Sequence, residues 1–216
     1  LKKICYSSRL KNYASCILIF QFIFYFNFTS FSQNDTDLVV IQNYIPNCIL
    51  DIRYASNYNF TRKSVYKKAI AAGRFKMVKM LKQVNDSLQK LKLKLVIFDA
   101  YRPSDAQYIL WNHFPDKRYV SPPEKGSRHS RGVAIDCSIA DSIGNLLPMP
   151  SLYDTFGRES HIHYQHQDSY RNTNRDFLQS IMQYFGFVST NSEWWHFELK
   201  NPYQYKILNI PLENIH

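Results

Sequence analysis

Residues 127–139 read Ser127-Arg128-His129-Ser130-Arg131-Gly132-Val133-Ala134-Ile135-Asp136-Cys137-Ser138-Ile139. The second half, Val133 to Ile139, is a short apolar run behind a glycine, which is the pattern of a buried strand. Asp136 stands in the middle of it. A carboxylate in such a strand costs several kcal/mol unless it is paired or coordinated. The segment therefore predicts a core strand that carries a reactive group into the interior.

Upstream, Leu93, Leu95, Val96, Ile97 and Phe98 form a second strand pattern that ends in Asp99-Ala100-Tyr101-Arg102-Pro103. Downstream, Phe187-Val188 and Trp194 to Leu199 read as the last strands. Leu38 to Asn43 and Ile49 to Tyr54 read as short extended segments, and 57–68 is turn-rich. Ile70, Phe75, Val78, Leu81, Val84, Leu88 and Leu91 recur at helical spacing with lysines between them. Ser104 with Gln107 has the form of a capping box opening a helix through Trp111. Residues 113–128 read as loop, Asp141 to Asn145 as a turn, and 146–160 as irregular chain. Asn172 to Asn174 are placed to cap a helix through Tyr184, with Gly186 as its stop. Helices and strands do not alternate regularly. The expectation is an α+β single domain, with a mostly antiparallel central sheet flanked by helices.

The 216 residues include Tyr 16, Phe 15 and Trp 3. That is too aromatic for a disordered chain, and Gly 6 with Pro 9 excludes a collagen-like or low-complexity one. Lys2, Lys3, Arg9 and Lys11 precede an apolar run, 17–28, followed by Ser30-Phe31-Ser32. This order predicts a secretory signal peptide over 1–32, cleaved near Ser32/Gln33, and an exported domain over 33–216. The run is shorter than the about 20 residues of a membrane span, so membrane attachment is expected only if the segment stays uncleaved. The net charge is +10; without residues 1–32, 23 basic and 17 acidic groups remain, for +6. The remaining lysines are dispersed, which suits simple solubility, and no nucleic-acid motif accompanies them. Cys48 and Cys137 alone set no disulfide framework.

Three segments carry chemistry: 127–136, Glu193-Trp194-Trp195-His196, and 99–103. A catalytic zinc needs three protein ligands and an open position for water. His129, Asp136 and His196 supply such a set, with Glu193 as a nearby base and Arg102 as a fixed cation for a developing oxyanion. Read from residue types alone, a buried salt-bridge network competes with this metal reading. Positions 193 and 196 also pose a geometric difficulty. Three apart on a regular strand, they face opposite sides, so both reach one metal only across a bulge or a bent strand start.

With these segments in view, the sequence resembles the zinc D-alanyl-D-alanine dipeptidases, the group that includes the vancomycin-resistance dipeptidase. The likeness runs in order through 51–55 with 59–61, 98–103, 126–136 and 193–197. It covers essentially all of 38–205, and S-x-H-x-x-G-x-A-x-D followed by E-W-W-H is a specific pair of motifs. The resemblance implies one zinc per chain on His129, Asp136 and His196, at the sheet. It implies Glu193 as catalytic base and proton shuttle, and Arg102 on the substrate carbonyl. It also places Ser127 and Asp154 near the dipeptide's ammonium end and Tyr54 in the pocket. Each of these three has a plainer reading: a loop-capping hydroxyl for Ser127, a surface turn for Asp154, core packing for Tyr54. The sequence departs from the family at Met149-Pro150-Ser151, where a glycine is common, and in a short stretch between Trp111 and Gly126. Both bear on substrate breadth. The expected activity is hydrolysis of D-Ala-D-Ala to two D-alanines in cell-wall peptide turnover. The alternatives are a zinc D,D-carboxypeptidase or wall-peptide endopeptidase, and a non-catalytic wall-binding module. One sequence leaves oligomeric state open.

Overall fold

The computed structural model describes residues 33–216, which pack as one unit; the proposed signal peptide at 1–32 lies outside the described residues. Seven strands and three longer helices follow in the order β1 Leu38–Val40, β2 Ile49–Leu50, β3 Ala72–Arg74, α1 Phe75–Lys90, β4 Lys94–Asp99, α2 Ser104–His113, β5 Ala134–Ala140, α3 Ser169–Tyr184, β6 Val188–Ser189 and β7 His196–Glu198. Five strands form one sheet in the order β2-β4-β5-β7-β6, while β1 and β3 pair separately. Only β2 runs parallel to its neighbour; the other pairings of the large sheet are antiparallel. The α+β reading with a mostly antiparallel sheet therefore holds.

Strand alternation separates core from chemistry. Leu95 opposes Ile139, Ile97 opposes Cys137, and Ile135 opposes Phe197. Directly opposed residues share a face, so these six apolar side chains, all buried, line one side of the sheet. Asp136 opposes His196 on the other side. Between Ile97 and Asp99 the register of β4 shifts by one residue, so Asp99 rather than Phe98 stands opposite Asp136. The bulge thus brings Asp99, Asp136 and His196 into one row across three strands. Cys48 and Cys137 are both buried free thiols.

α1 buries Met77, Val78, Leu81, Val84 and Leu88, the i, i+3, i+4 stripe that the sequence shows, and packs on β3 and β4. Several boundaries differ from expectation. Ile70 is not helical: Ala72–Arg74 is extended because it pairs with β1, so α1 begins only at Phe75. Ile41–Asn43 and Arg53–Ala55 are single 3-10 turns rather than extended chain. The capping box at Ser104 does not form. Ser104 already lies inside α2, its side chain makes no capping bond, and Gln107 turns inward instead. α3 begins at least four residues earlier than expected, with Asp168 rather than Asn172 to Asn174 as its cap: the carboxylate accepts from the Tyr170 N–H at 3.0 Å. Gly186, at φ 91°, follows the helix end as expected. Trp194 and Trp195 lie in a turn, and the strand starts only at His196.

Candidate metal centre and substrate pocket

The turn Glu193–His196 resolves the spacing difficulty. The His196 N–H reaches back to the Glu193 carbonyl at 3.4 Å, so the chain folds on itself before β7 starts. Glu193 is thereby brought to the same side as His196, with Oε2 4.0 Å from His196 Nδ1. The tryptophans anchor the turn: Trp194 and Trp195 are 2% exposed, the Trp194 indole donates to Ser151 Oγ at 2.9 Å, and Gln179 of α3 donates to the Trp194 carbonyl at 2.7 Å.

His129 comes from a 3-10 turn, 129–131, just before β5. Ser127 Oγ accepts the Ser130 N–H at 3.0 Å and pairs with Ser130 Oγ at 3.1 Å, holding the turn closed. Gly132 leaves it at φ 70°. Two bonds stitch this turn to the segment after β4: His129 Nδ1 to the Ala100 carbonyl at 2.7 Å, and the Arg102 N–H to the His129 carbonyl at 3.2 Å.

Three atoms then converge. His129 Nε2 lies 3.2 Å from His196 Nδ1 and 3.3 Å from Asp136 Oδ1; His196 Nδ1 lies 3.0 Å from the same oxygen. The other nitrogen of each ring faces an acceptor, the Ala100 carbonyl for His129 and Glu198 Oε2, at 3.2 Å, for His196. If those nitrogens carry the ring protons, the converging nitrogens present lone pairs. Two imidazole lone pairs and a carboxylate oxygen aimed at one point form a donor set for a cation. His129, Asp136 and His196 are the residues placed for it, all buried. Burial alone would push the Asp136 carboxyl up, but the two histidines outweigh it and hold it well below the usual carboxylate range. Burial pushes Glu193 up, with His196 opposing, so this side chain is poised as a proton acceptor.

Arg102 is almost fully buried and held on three nitrogens: Nε at 3.0 Å and Nη2 at 2.6 Å from Asp99 Oδ2, and Nη1 at 2.9 Å from Gln107 Oε1. Gln107 in turn donates to the Ser121 carbonyl at 2.7 Å, and Asp99 accepts from Tyr66 at 2.8 Å. Burial opposes the guanidinium charge, but Asp99 outweighs it and holds Arg102 above its ordinary value. The Tyr54 ring lies under the guanidinium, 5.0 Å away.

These groups line one cavity of about 110 Å³. Ser127, His129, Asp136, Glu193, His196, Arg102, Tyr54 and Asp154 all border it, so the structure brings together every site residue named from the sequence. Asp154 is reached through a left-handed backbone, φ 58°, and accepts from Tyr54 Oη at 3.3 Å. Burial, with Asp136 nearby, pushes its carboxyl well up. Ser127 both caps the 129–131 turn and faces the cavity. Phe156 helps to close the space, stacked on Phe114 and Tyr119 at 5.1 and 4.8 Å and tilted against Phe60 at 5.1 Å.

Four residues around the site escaped the sequence reading. Tyr153 donates to Asp136 Oδ2 at 3.0 Å, and Gln107 was read as a cap rather than as a partner of Arg102. Glu198 and Arg128 form an ion pair at 2.7 Å. A signal for Glu198 was present: two residues beyond His196 on a strand, it must share that residue's face.

The D-ala-D-ala dipeptidase family description matches residues 34–213. The chain is 38% identical over 176 residues to the D-alanyl-D-alanine dipeptidase of Escherichia coli, across 82% of this chain and 91% of that protein. It is 29% identical over 185 residues to the D-alanyl-D-alanine dipeptidase of Enterococcus faecium, across 76% of this chain and 92% of that protein. A crystal structure of the vancomycin resistance D,D-pentapeptidase VanY in complex with Zn(II) superposes with a TM-score of 0.41 and 15% identity, over 62% of this chain and 75% of that one.

Proposed function

From the premise that the chain belongs to the D-Ala-D-Ala dipeptidase family, we propose that it hydrolyses D-Ala-D-Ala to two D-alanines, with one zinc ion on His129, Asp136 and His196. The observation that carries this reading is the convergence of three acceptor atoms beside Glu193 and Arg102 in one small cavity. The donor set fits zinc: two imidazoles and one carboxylate, each held by a further hydrogen bond. When bound there, zinc would supply Lewis acidity toward the peptide carbonyl and lower the pKa of water.

The chain's own groups do the rest. Glu193 accepts a proton from the attacking water and delivers it to the departing amine as the C–N bond breaks. Arg102, fixed by Asp99 and Gln107, faces the carbonyl oxygen and stabilises the negative charge that develops there. Asp154 and Tyr54, joined to one another, and Ser127 hold the ammonium end of the dipeptide. The cavity is small, about 110 Å³, and bordered by Phe60, Tyr119 and Phe156, which suits the two residues of a D-Ala-D-Ala unit. We place the activity outside the cytoplasm, on the basic and then apolar order of residues 1–32; there it would salvage D-alanine from wall turnover.

The test is release of D-alanine from D-Ala-D-Ala and from a D-Ala-D-Ala-terminated wall pentapeptide, with and without chelator. Chelator-sensitive cleavage of the dipeptide is the expected result. Cleavage of the pentapeptide alone would move the assignment to a D,D-carboxypeptidase. Zinc binding without cleavage of either would leave a wall-binding module.

A further inference from the structure

Glu198 is a buried carboxylate in the last strand, 7% exposed, and neither the hydrolytic step nor the substrate pocket uses it. A buried carboxylate costs several kcal/mol unless it is paired, so its surroundings show what offsets that cost. Its Oε2 meets two groups: Arg128 Nε at 2.7 Å and His196 Nε2 at 3.2 Å. Arg128 immediately precedes His129, and its guanidinium lies 5.8 Å from the centre of the Tyr203 ring. The pair therefore ties β7, which carries one ligand, to the turn that carries another.

The two histidines are supported differently. His129 Nδ1 is hydrogen-bonded to a neutral carbonyl, that of Ala100 at 2.7 Å, with the Asp99 carboxylate beyond hydrogen-bond reach at 3.7 Å. His196 is backed by a carboxylate. An acceptor on Nε2 fixes the proton on that nitrogen and leaves the Nδ1 lone pair facing Asp136 Oδ1 and His129 Nε2. A negatively charged acceptor also strengthens the ring as an electron-pair donor. Arg128 in turn offsets the charge of Glu198.

We propose that Glu198, held by Arg128, is a positioning residue that fixes the tautomer of His196 and sets the affinity of the centre for zinc. This rests on the zinc reading above. The experiment measures the zinc dissociation constant of the apo chain by competition with a chromophoric chelator, alongside the apo Tm, for wild type, Glu198→Ala and Glu198→Gln. Glu198→Ala is expected to raise Kd about 10- to 100-fold. Glu198→Gln keeps the shape and one acceptor oxygen but loses the charge, so it should raise Kd by less, and it covers the case in which the alanine variant does not fold. A merely structural role would lower the apo Tm and leave Kd in place. A folded variant that binds zinc within twofold of wild type would overturn the inference while leaving the zinc reading intact. Failure of wild type itself to bind zinc would overturn both.

Discussion

Asp136 shows what a single residue can announce. A carboxylate between Ile135 and Cys137 is out of place in a core strand, and it meets two imidazoles and the Tyr153 hydroxyl. Glu193 and Arg102 make distinct predictions at this scale. Glu193→Gln preserves volume and should leave zinc content at one per chain, while kcat falls about 10²- to 10⁴-fold; metal analysis beside D-alanine release checks both halves. Arg102→Lys keeps the charge but loses the planar fork that Asp99 and Gln107 hold. It should lower kcat/KM about 10²- to 10³-fold, and a rate close to wild type would remove Arg102 from the mechanism. Asp136 was conspicuous because strand burial makes a charged residue stand out, whereas His129 and His196 were set apart from a salt-bridge network only through the motif resemblance. Tyr153 was not legible, because nothing in local spacing says which atom a hydroxyl will meet across the fold; for Glu198 the spacing gives the face it shares with His196 but not its pairing with Arg128.

Whole elements were easier to read than their ends. α1, β4 and β5 follow from apolar periodicity over many residues. The ends depend on single contacts that sequence patterns imitate: Gln107 satisfies the capping-box spacing yet serves Arg102, and Asp168 rather than Asn172 caps α3. Asp168→Ala should therefore cost about 1 kcal/mol of stability, seen as a lower denaturant midpoint, with D-alanine release per folded molecule unchanged. Gly132 is the opposite case, an element end coupled to the site. Its φ of 70° is left-handed, and an added Cβ would stand 3.1 Å from Leu38 Cδ1 and 3.5 Å from the Arg74 nitrogen. The Arg74 N–H donates to the Gly132 carbonyl at 2.7 Å, which leaves that backbone little room to move. Gly132→Ala should destabilise by more than about 1 kcal/mol and weaken zinc binding as well, because the turn that carries His129 must shift; equal zinc affinity at lower stability would separate the two effects.

Across the whole molecule the metal and the fold should be linked. The proposed ligands lie on the 129–131 turn, β5 and β7, so an ion that binds all three favours the folded chain over the unfolded one. Zinc at a thousand times its Kd would add about 4 kcal/mol, and a chelator should lower Tm by the corresponding several degrees. The apolar face of the sheet, with Ile97, Cys137, Ile135 and Phe197 fully buried, does not depend on the metal. Far-ultraviolet circular dichroism of the stripped protein should therefore stay native below that lower Tm. Substrate breadth is also set at this scale, by loops distant in sequence. Phe156→Ala would unstack Phe114 and Tyr119 and should raise the ratio of pentapeptide to dipeptide cleavage; an unchanged ratio would place the size limit elsewhere.

The row of Asp99, Asp136 and His196 across β4, β5 and β7 has a wider consequence. Neighbouring strands in any sheet stand about 4.8 Å apart, a length dictated by peptide hydrogen bonds and not by side chains. Two of the three proposed ligands, and the carboxylate that anchors Arg102, are thus spaced by a ruler common to all sheets. Loops that carry none of the site's side chains can lengthen, shorten or exchange residues without moving that row. Diversification of diet can proceed at the rim while the chemistry stays fixed by the weave beneath it.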